Sequence, residues 1–354
     1  MNQINNSVDR EAEKSAERGV SETTSEIQQV SPTPVYAAFA NNESFVAFWK
    51  SGENEITFYT PSSIHETQFT SGTQSFLESR EHYEERGDLN GFDETVNAAW
   101  HILGQQMMFL DKSKVESSKI PLGTYWPRIW RGWYSGDYTL STYNPIDARM
   151  AYQTKFVQST VAASSLFAYL IEIFRNVEPA SENLSVFGHK IRELLILVCT
   201  EVEAGWRAVL EANTKTRKKS YRTDDYFRTK EPLRLGEWSV ALKDYPNLGE
   251  FSPFSKWTKE CPTKSLAWYD SYNAAKHDRE TNFSRANLGD LLSAMAALHI
   301  VQAAQWGPEL FDRLYGDHFS PFFVTKWPKF RASEVYVPHI GAEKHFSPFP
   351  YFSD

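Results

Sequence analysis

A short stretch of the chain, residues 268–279, combines aromatic rings with an amide, an imidazole and two cationic side chains. If this stretch is helical, residues four apart are neighbours, so Tyr269, Asn273 and His277 lie on one face. Histidine exchanges protons near neutral pH, and a neighbouring amide can fix which ring nitrogen carries the proton. The pattern therefore predicts either an acid–base site or a hydrogen-bonded pair that ties this helix to its neighbours.

The adjacent stripe of the same helix carries Tyr272 and Lys276, and Arg279 follows shortly after it. Both cations can attract phosphate, although lysine is a point charge and lacks the guanidinium fork of arginine. The stretch is thus expected to combine an imidazole with a source of positive charge.

With two long helices before it and one after it, this stretch resembles the motif helix of the HEPN superfamily. The nuclease members of that superfamily carry an Arg, four to six intervening residues and then a His, often with an Asn directly after the Arg. Asn273 and His277 occupy the matching positions, and Tyr272 stands where those proteins have Arg. The resemblance covers roughly residues 147–316.

The resemblance implies a helical bundle that acts on RNA without a metal or cofactor, as a homodimer that brings two motifs together. Under it, His277 acts as acid or base, Asn273 orients it, and Lys276 or Arg279 stabilises phosphate charge. The family's habits extend this expectation to a defence or toxin role. The competing expectation is a non-catalytic module in which the motif is structural and the aromatic segments dock a protein partner.

Glu201 and Glu203 directly follow an apolar run in the second long helix. Because a lone buried charge is costly, a carboxylate here is expected to pair with a cation from another helix or to orient a histidine. Glu201 lies nearer the edge of the apolar stripe and is therefore the better candidate for the site. The alternative is a structural ion pair with Arg175 or Arg207.

The one local cluster of positive charge opens a long connection, residues 214–263. Its cations alternate with aromatic rings, which suits single-stranded RNA because charge attracts phosphates and bases stack on rings. The alternative is a solvated loop that keeps the protein soluble. In the second half, prolines with Trp238 and Trp257 predict an ordered wrap over the bundle. The predicted RNA-contacting residues are Lys215, Arg217, Lys218, Lys219, Tyr221 and Arg222.

Another aromatic segment, residues 125–134, places arginines among several rings. Such arginines can stack on bases or planar ligands, or they can clamp the segment onto the body through cation–π contacts.

The helical core is predicted to begin near Asp147. Apolar residues at steps of three, four or seven indicate a long amphipathic helix that ends before Pro179, followed by a second long helix pairing antiparallel with it. Around Leu194–Cys199 the second helix is apolar on every side, which predicts that it is the central member. A last helix capped at Asn287 carries His299, expected to be a core histidine.

Before the core, residues 33–146 begin with short aromatic or β-branched runs separated by turn formers. The runs Val35–Ala40, Phe45–Lys50 and Glu55–Thr60 predict a small antiparallel meander packed on the helical body. Residues 1–32 are polar and predict a disordered tail. Residues 317–354 predict an extended C-terminal arm. The fold class is therefore mainly α: a HEPN-like four-helix bundle core with an N-terminal β-meander and extended aromatic-rich loops.

Composition limits the function. The 354 residues carry a formal net charge of −8, so contact with nucleic acid must be local rather than over the whole surface. Two cysteines, without a zinc or phosphate-loop motif, predict no metal or cofactor and a reducing cytoplasm. A polar N-terminus and only short apolar runs predict no membrane partner.

Overall fold

The computed structural model describes residues 33–40, 45–60, 71–75, 81, 94–105, 110–132, 152–311, 318–340 and 346–352. The predicted disordered tail, residues 1–32, lies outside the described residues. The strands are β1 Val35–Phe39, β2 Phe45–Lys50, β3 Glu55–Tyr59, β4 Ser71–Ser75, β5 Glu116–Ser117, β6 Thr124–Tyr125, β7 Ser239–Leu242, β8 Glu250–Phe251, β9 Phe322–Lys326 and β10 Ser347–Pro348. The α-helices are α1 Glu94–Gln105, α2 Gln153–Phe174, α3 His189–Asn213, α4 Thr223–Phe227, α5 Ala267–His277, α6 Arg279–Asn282 and α7 Leu288–Trp306.

The predicted meander is confirmed as the centre of an antiparallel sheet with strand order β4-β3-β2-β1-β5. Its short strands alternate with turn-forming residues, and Ala37 pairs with Ala47 across β1 and β2. One face packs on α1 through Val96, and the other is covered by Val335 of the C-terminal segment. Because both faces are covered, every residue of β2 before Lys50 is buried.

The remainder is mainly helical, and α2, α3, α5 and α7 pack together. Helices α2 and α3 lie antiparallel, as predicted: Tyr169 near the end of α2 donates a hydrogen bond to Glu193 near the start of α3. Helix α7 contacts all three others, and every side chain from Ala294 to Trp306 is buried. Helix α3 also contacts the other three helices, as predicted for a central member, but it is not buried on every side, since Leu197 is 43% exposed. The alanine-rich sequence of α7 lets neighbours approach from every side.

Helix α2 is peripheral and turns one stripe, which includes Phe156, Phe167 and Leu170, towards the bundle. Its outer side bears the exposed Val157 and Val161. By length and hydropathy α2 would also suit a membrane span, a test that the core helix of a soluble bundle passes as well.

The second half of the 214–263 connection is ordered over the bundle, as predicted. Trp238 and Trp257 are buried in the main core. Strand β7 is the middle strand of a three-stranded antiparallel sheet, with β8 on one side and β9 from the C-terminal arm on the other. The chain from Thr33 to Asp354 forms one compact unit.

The aromatic segment after β6 is clamped onto the body through cation–π contacts. The Arg131 guanidinium lies 4.6 Å from the Phe330 ring centroid and 5.4 Å from that of Trp126. The backbone N–H of Trp130 donates a hydrogen bond to the Ala304 carbonyl near the end of α7. Residues 133 and 134 of this segment lie outside the described residues. Of the two alternatives, the clamp accounts for the part that is described.

Candidate functional site

The stretch that resembles the HEPN motif forms α5, as its spacing predicts, but its amide and imidazole do not join. The Asn273 side chain donates to the Tyr269 carbonyl one turn earlier in its own helix, at 3.0 Å. His277 is the last residue of α5 and is exposed. Within the described part of the chain it has no hydrogen-bond partner. The imidazole is therefore open to solvent and is not oriented by Asn273.

The residue in place of the motif arginine is built into the core. Tyr272 is 1% exposed, and its ring lies 5.4 Å from that of Tyr269. The Lys276 ammonium donates to the Tyr272 hydroxyl at 2.8 Å. This hydrogen bond raises the pKa of Lys276, while burial raises the pKa of Tyr272. Lys276 is thus held against a phenol that stands where the resembled nucleases carry a second cation.

A carboxylate does reach α5, but it is not the predicted one. The Tyr269 hydroxyl donates to Glu203 at 2.6 Å, and burial together with this carboxylate raises the Tyr269 pKa. Glu201 instead lines a cleft between α2 and α3. Two residues along a helix turn a side chain by about 200°, so the two glutamates point to different neighbours. The choice of Glu201 as partner of the motif is corrected to Glu203.

The two arginines considered as ion-pair partners of Glu201 also have other contacts. Arg175 pairs with Glu172 at 3.4 Å. The Tyr226 hydroxyl raises the pKa of Arg207 through a hydrogen bond. Neither forms a salt bridge with Glu201 in the described part of the chain.

The C-terminal end of α5 is the cationic part of the motif. Lys276, His277 and Arg279 are all exposed there, and Arg279 begins the short helix α6 after the cap residue Asp278. The Arg192 guanidinium from α3 donates to the Ala275 carbonyl. Positive charge at a helix C-terminus is favourable because it faces the negative end of the helix dipole. The same charges leave a local surface that can attract an anion.

The predicted basic segment is exposed, but several of its members already have partners. Lys218 pairs with Asp225, whose carboxylate also accepts the backbone N–H of Arg222. The Tyr221 ring stacks on Tyr226 at 6.4 Å with an interplanar angle of 17°. Of the remaining predicted contacts, Lys215 is exposed and engaged, Lys219 is exposed without a partner among the described residues, and Arg217 lines the α2–α3 cleft.

The structure does not bring the motif and the basic segment together. Ala275 of α5 contacts Arg192 near the start of α3, whereas the basic segment begins at Thr214, directly after α3. From Arg192 to Thr214 the chain advances 22 residues, which corresponds to about 33 Å of helix. The two parts of the predicted RNA site therefore lie at opposite ends of α3.

Two polar residues were visible in the sequence but were not assigned to a site: Glu203, described above, and Arg128, which is buried beside the α2–α3 cleft. For Glu203, a helical wheel placing it beside Cys199 and Trp206 would have indicated the α5 side. No comparable local signal exists for Arg128. Within the described ranges, no three His, Cys, Asp or Glu side chains are grouped so as to hold a metal ion.

The described fold and site define a mainly helical protein with an exposed cationic helix end and a separate basic segment. Comparisons with protein-family models, curated proteins and solved structures find no match to this chain.

Proposed function

We propose that this is an RNA-directed, HEPN-like protein that contacts single-stranded RNA through its basic segment, residues 215–222. The observation that carries the proposal is the exposed run of cations beside the half-buried ring of Tyr221, which is held in place by stacking on the buried Tyr226. Cations attract the phosphates, and a ring platform accepts a base of any sequence. In a protein of net charge −8, such a contact is confined to this place.

The test is RNA binding by the full chain, measured by fluorescence anisotropy over a range of salt concentrations. The variant Lys218→Gln/Lys219→Gln should bind more weakly and show a shallower dependence on salt, because fewer counterions are released. Its matched control is Lys256→Gln/Lys259→Gln, which removes the same charge from exposed positions further along the same connection. Equal RNA affinity and equal salt slopes for the two variants would rule out the basic segment as the contact.

Metal-independent cleavage of RNA is the catalytic form of this proposal. His277, Lys276 and Arg279 are exposed together, so a phosphodiester can approach them. Asn273 is bonded to its own helix, so it does not assist His277 within one protomer. A homodimer that brings two motifs together would place a second imidazole and its neighbouring cations beside the same phosphodiester. Wild-type protein in EDTA should then cleave RNA, His277→Ala should not, and the exposed His189→Ala should retain cleavage.

A non-catalytic binding module is the second candidate, and it has an observation in its favour. Tyr272, Lys276 and Asn273 satisfy one another or their own helix, so the motif has a structural role within one protomer. Absence of cleavage by folded, dimeric wild-type protein that still binds RNA would select this candidate. A protein partner would then be sought at the aromatic segments.

A further inference from the structure

An open cleft of about 450 Å³ lies between α2 and α3, away from the motif helix. Small side chains line its walls, among them Ala162, Gly205 and Ala208, and these leave the space unfilled. Its volume falls within the usual range for small-ligand sites, about 300–1,000 Å³. What distinguishes this cleft is the pair of ionisable side chains inside it, Arg128 and Glu201.

Arg128 occupies a backbone position that favours glycine. The Ile129 N–H donates to the Trp126 carbonyl across a turn with Pro127 second and Arg128 third, and Arg128 has a φ of 59°. This is the pattern of a type II turn, whose third position normally requires glycine or asparagine. A non-glycine side chain held in the left-handed region is strained and persists only where its surroundings enforce it.

The surroundings do enforce it. The Asn213 side chain donates to the Pro127 carbonyl at 2.7 Å, and the buried Tyr336 hydroxyl donates to the Ile129 carbonyl at 2.8 Å. The turn is therefore fixed from both sides, and its third residue is aimed at the cleft.

The Arg128 side chain is a buried cation without a counter-ion in contact. It is 7% exposed, lies 4.8 Å from the Trp306 ring centroid and donates from Nε to Gln305 at 2.8 Å. Among the described residues no carboxylate forms a salt bridge with it, and its Nη groups have no acceptor. Burial lowers its pKa to about 10. A guanidinium in this state is expected to recruit an anionic group.

The Glu201 carboxylate is the reverse of Arg128: an anionic group in the same cleft that has no cation in contact among the described residues. It is half-buried, and in the described part of the chain it accepts no hydrogen bond and forms no salt bridge. Burial raises its pKa, and the more distant charge of Arg128 opposes that shift only in part. The exposed Lys155 and Arg217 also line the cleft, together with one further carboxylate, Glu211. The cleft thus contains a cation and an anion that form no salt bridge with each other, and an excess of one positive charge among its other lining residues.

We propose that this cleft binds a small zwitterion of the α-amino acid class, with its carboxylate on Arg128 and its ammonium group on Glu201. A simple anion would satisfy Arg128 but repel Glu201, and a simple cation would do the reverse. Only a ligand carrying both groups neutralises both side chains without adding net charge. The positive excess from Lys155 and Arg217 favours an acidic side chain on that ligand. This inference goes beyond RNA binding and does not depend on it.

The experiment measures binding to the full chain by calorimetry and by thermal shift, with L-glutamate, L-aspartate and L-leucine as first probes. Two blocked analogues separate the contacts: N-acetyl-L-glutamate lacks the ammonium group, and L-glutamate α-amide lacks the α-carboxylate. Glutamate should bind most tightly, and each analogue should bind about 10- to 100-fold more weakly, the effect of losing one charged hydrogen-bonded contact.

Two variants assign the contacts. Arg128→Gly suits the turn, so it should fold while weakening glutamate binding about 10- to 100-fold and no longer distinguishing the α-amide. Glu201→Gln keeps the shape and should no longer distinguish the N-acetyl analogue. Arg175→Gln, an exposed position at the end of α2, is the charge-matched control and should bind as wild type does.

The proposal is overturned if none of the amino acids binds at millimolar concentration, or if inorganic phosphate binds as tightly as glutamate. It is equally overturned if Arg128→Gly retains full affinity while folded, as its melting temperature reports. Because Lys218 and Lys219 are left intact in these variants, failure here would leave the RNA measurements unaffected.

Discussion

Tyr272 has an environment suited to a phenol, and this decides what the motif helix can do by itself. Its ring is enclosed by the core, and its hydroxyl faces Lys276. An arginine at this position would set a second cation against that ammonium and would replace ring packing with a planar charged group. The environment of Tyr272 therefore opposes the residue that the resembled nucleases require.

We accordingly expect Tyr272→Arg to lower the free energy of unfolding by about 2–4 kcal/mol without raising RNA cleavage above the wild-type rate. Tyr272→Phe, which loses only the hydroxyl contact, should lower it by about 1 kcal/mol. Urea unfolding followed by circular dichroism measures both changes. A stable Tyr272→Arg variant that cleaves RNA in EDTA faster than wild type would show that the helix tolerates the motif arginine.

His299 is a core histidine, as the sequence predicts, but only one of its nitrogens has a partner. Nδ1 lies 2.8 Å from the Ser320 hydroxyl, whereas Nε2 is buried without a hydrogen bond. Its ring is 4.8 Å from that of Phe311. Burial, aided slightly by the charge of Lys243, lowers its pKa from 6.5 to about 3. The folded protein therefore keeps this imidazole neutral.

Between those two pKa values His299 is protonated in the unfolded chain but stays neutral in the folded protein. Stability should consequently fall as the pH drops below 6.5, by about 2 kcal/mol at pH 5 from this residue alone. The test compares unfolding free energies at pH 7 and pH 5. Between these pH values His299→Gln should lose about 2 kcal/mol less stability than wild type loses. The exposed His277→Gln is the control and should lose stability as wild type does. Identical losses for His299→Gln and wild type would contradict the assignment.

At the scale of the elements, α3 separates two sites by presenting different faces to different helices. Glu203 faces α5, while Glu201 faces α2 across the cleft. The close packing of α3 on α7 depends on Gly205, where an added Cβ would lie 2.8 Å from Val301 Cγ1. Glycine in the middle of a helix is intrinsically unfavourable, so its presence here has a packing reason.

Gly205→Ala should therefore destabilise the protein by about 1–3 kcal/mol, although alanine favours a helix. In combination with Val301→Ala the clash is removed, and the double variant should be more stable than the sum of the two single changes predicts. Gly188→Ala, where nothing lies within 4 Å of the new Cβ, creates no clash; it should cost only about 0.5–1 kcal/mol, for loss of a favoured N-cap residue, and this cost should not depend on Val301→Ala. If the effects of Gly205→Ala and Val301→Ala are additive in the double variant, α7 shifts to accept the new Cβ without strain.

At the scale of the whole molecule, the C-terminal segment joins the sheet to the bundle. Val335 is fully buried against the sheet, and Phe330 packs against both the sheet core and the bundle core. The Tyr336 hydroxyl donates a hydrogen bond to the Ile129 carbonyl, in the turn that places Arg128 beside the cleft. Because this segment contacts both cores, unfolding of the sheet should destabilise the helical bundle, and unfolding of the bundle should destabilise the sheet.

We expect Val335→Asp to lower the urea midpoint of the helical signal at 222 nm, because a buried carboxylate in the sheet core would destabilise a cooperative unit. The loss should exceed about 3 kcal/mol, even though Val335 packs in the sheet core and not in the bundle core. Phe323→Asp in β9 changes an exposed apolar residue to the same carboxylate and should have a much smaller effect. An unchanged helical transition with a lost sheet would show that the two parts unfold independently.

Local features of this protein were readable from the sequence. The strands β1 to β3 were predicted to within one residue because alternating side chains and turn formers act over a few positions. The buried stripe of α2 followed from helical periodicity, and the antiparallel pairing of α2 with α3 followed from their being consecutive long helices. The position of α5 also followed, since its motif lies within a single helix.

Only the tertiary structure decided which faces meet. Contacts between distant parts of the chain decide whether Glu201 or Glu203 reaches α5. They also decide that α7 rather than α3 is buried on every side, and where the Arg128 guanidinium lies. The sequence by itself determined which residues of an element share a face, because side-chain directions repeat with the period of each helix or strand. It did not determine which other element each face packs against, because that depends on close packing of the whole core.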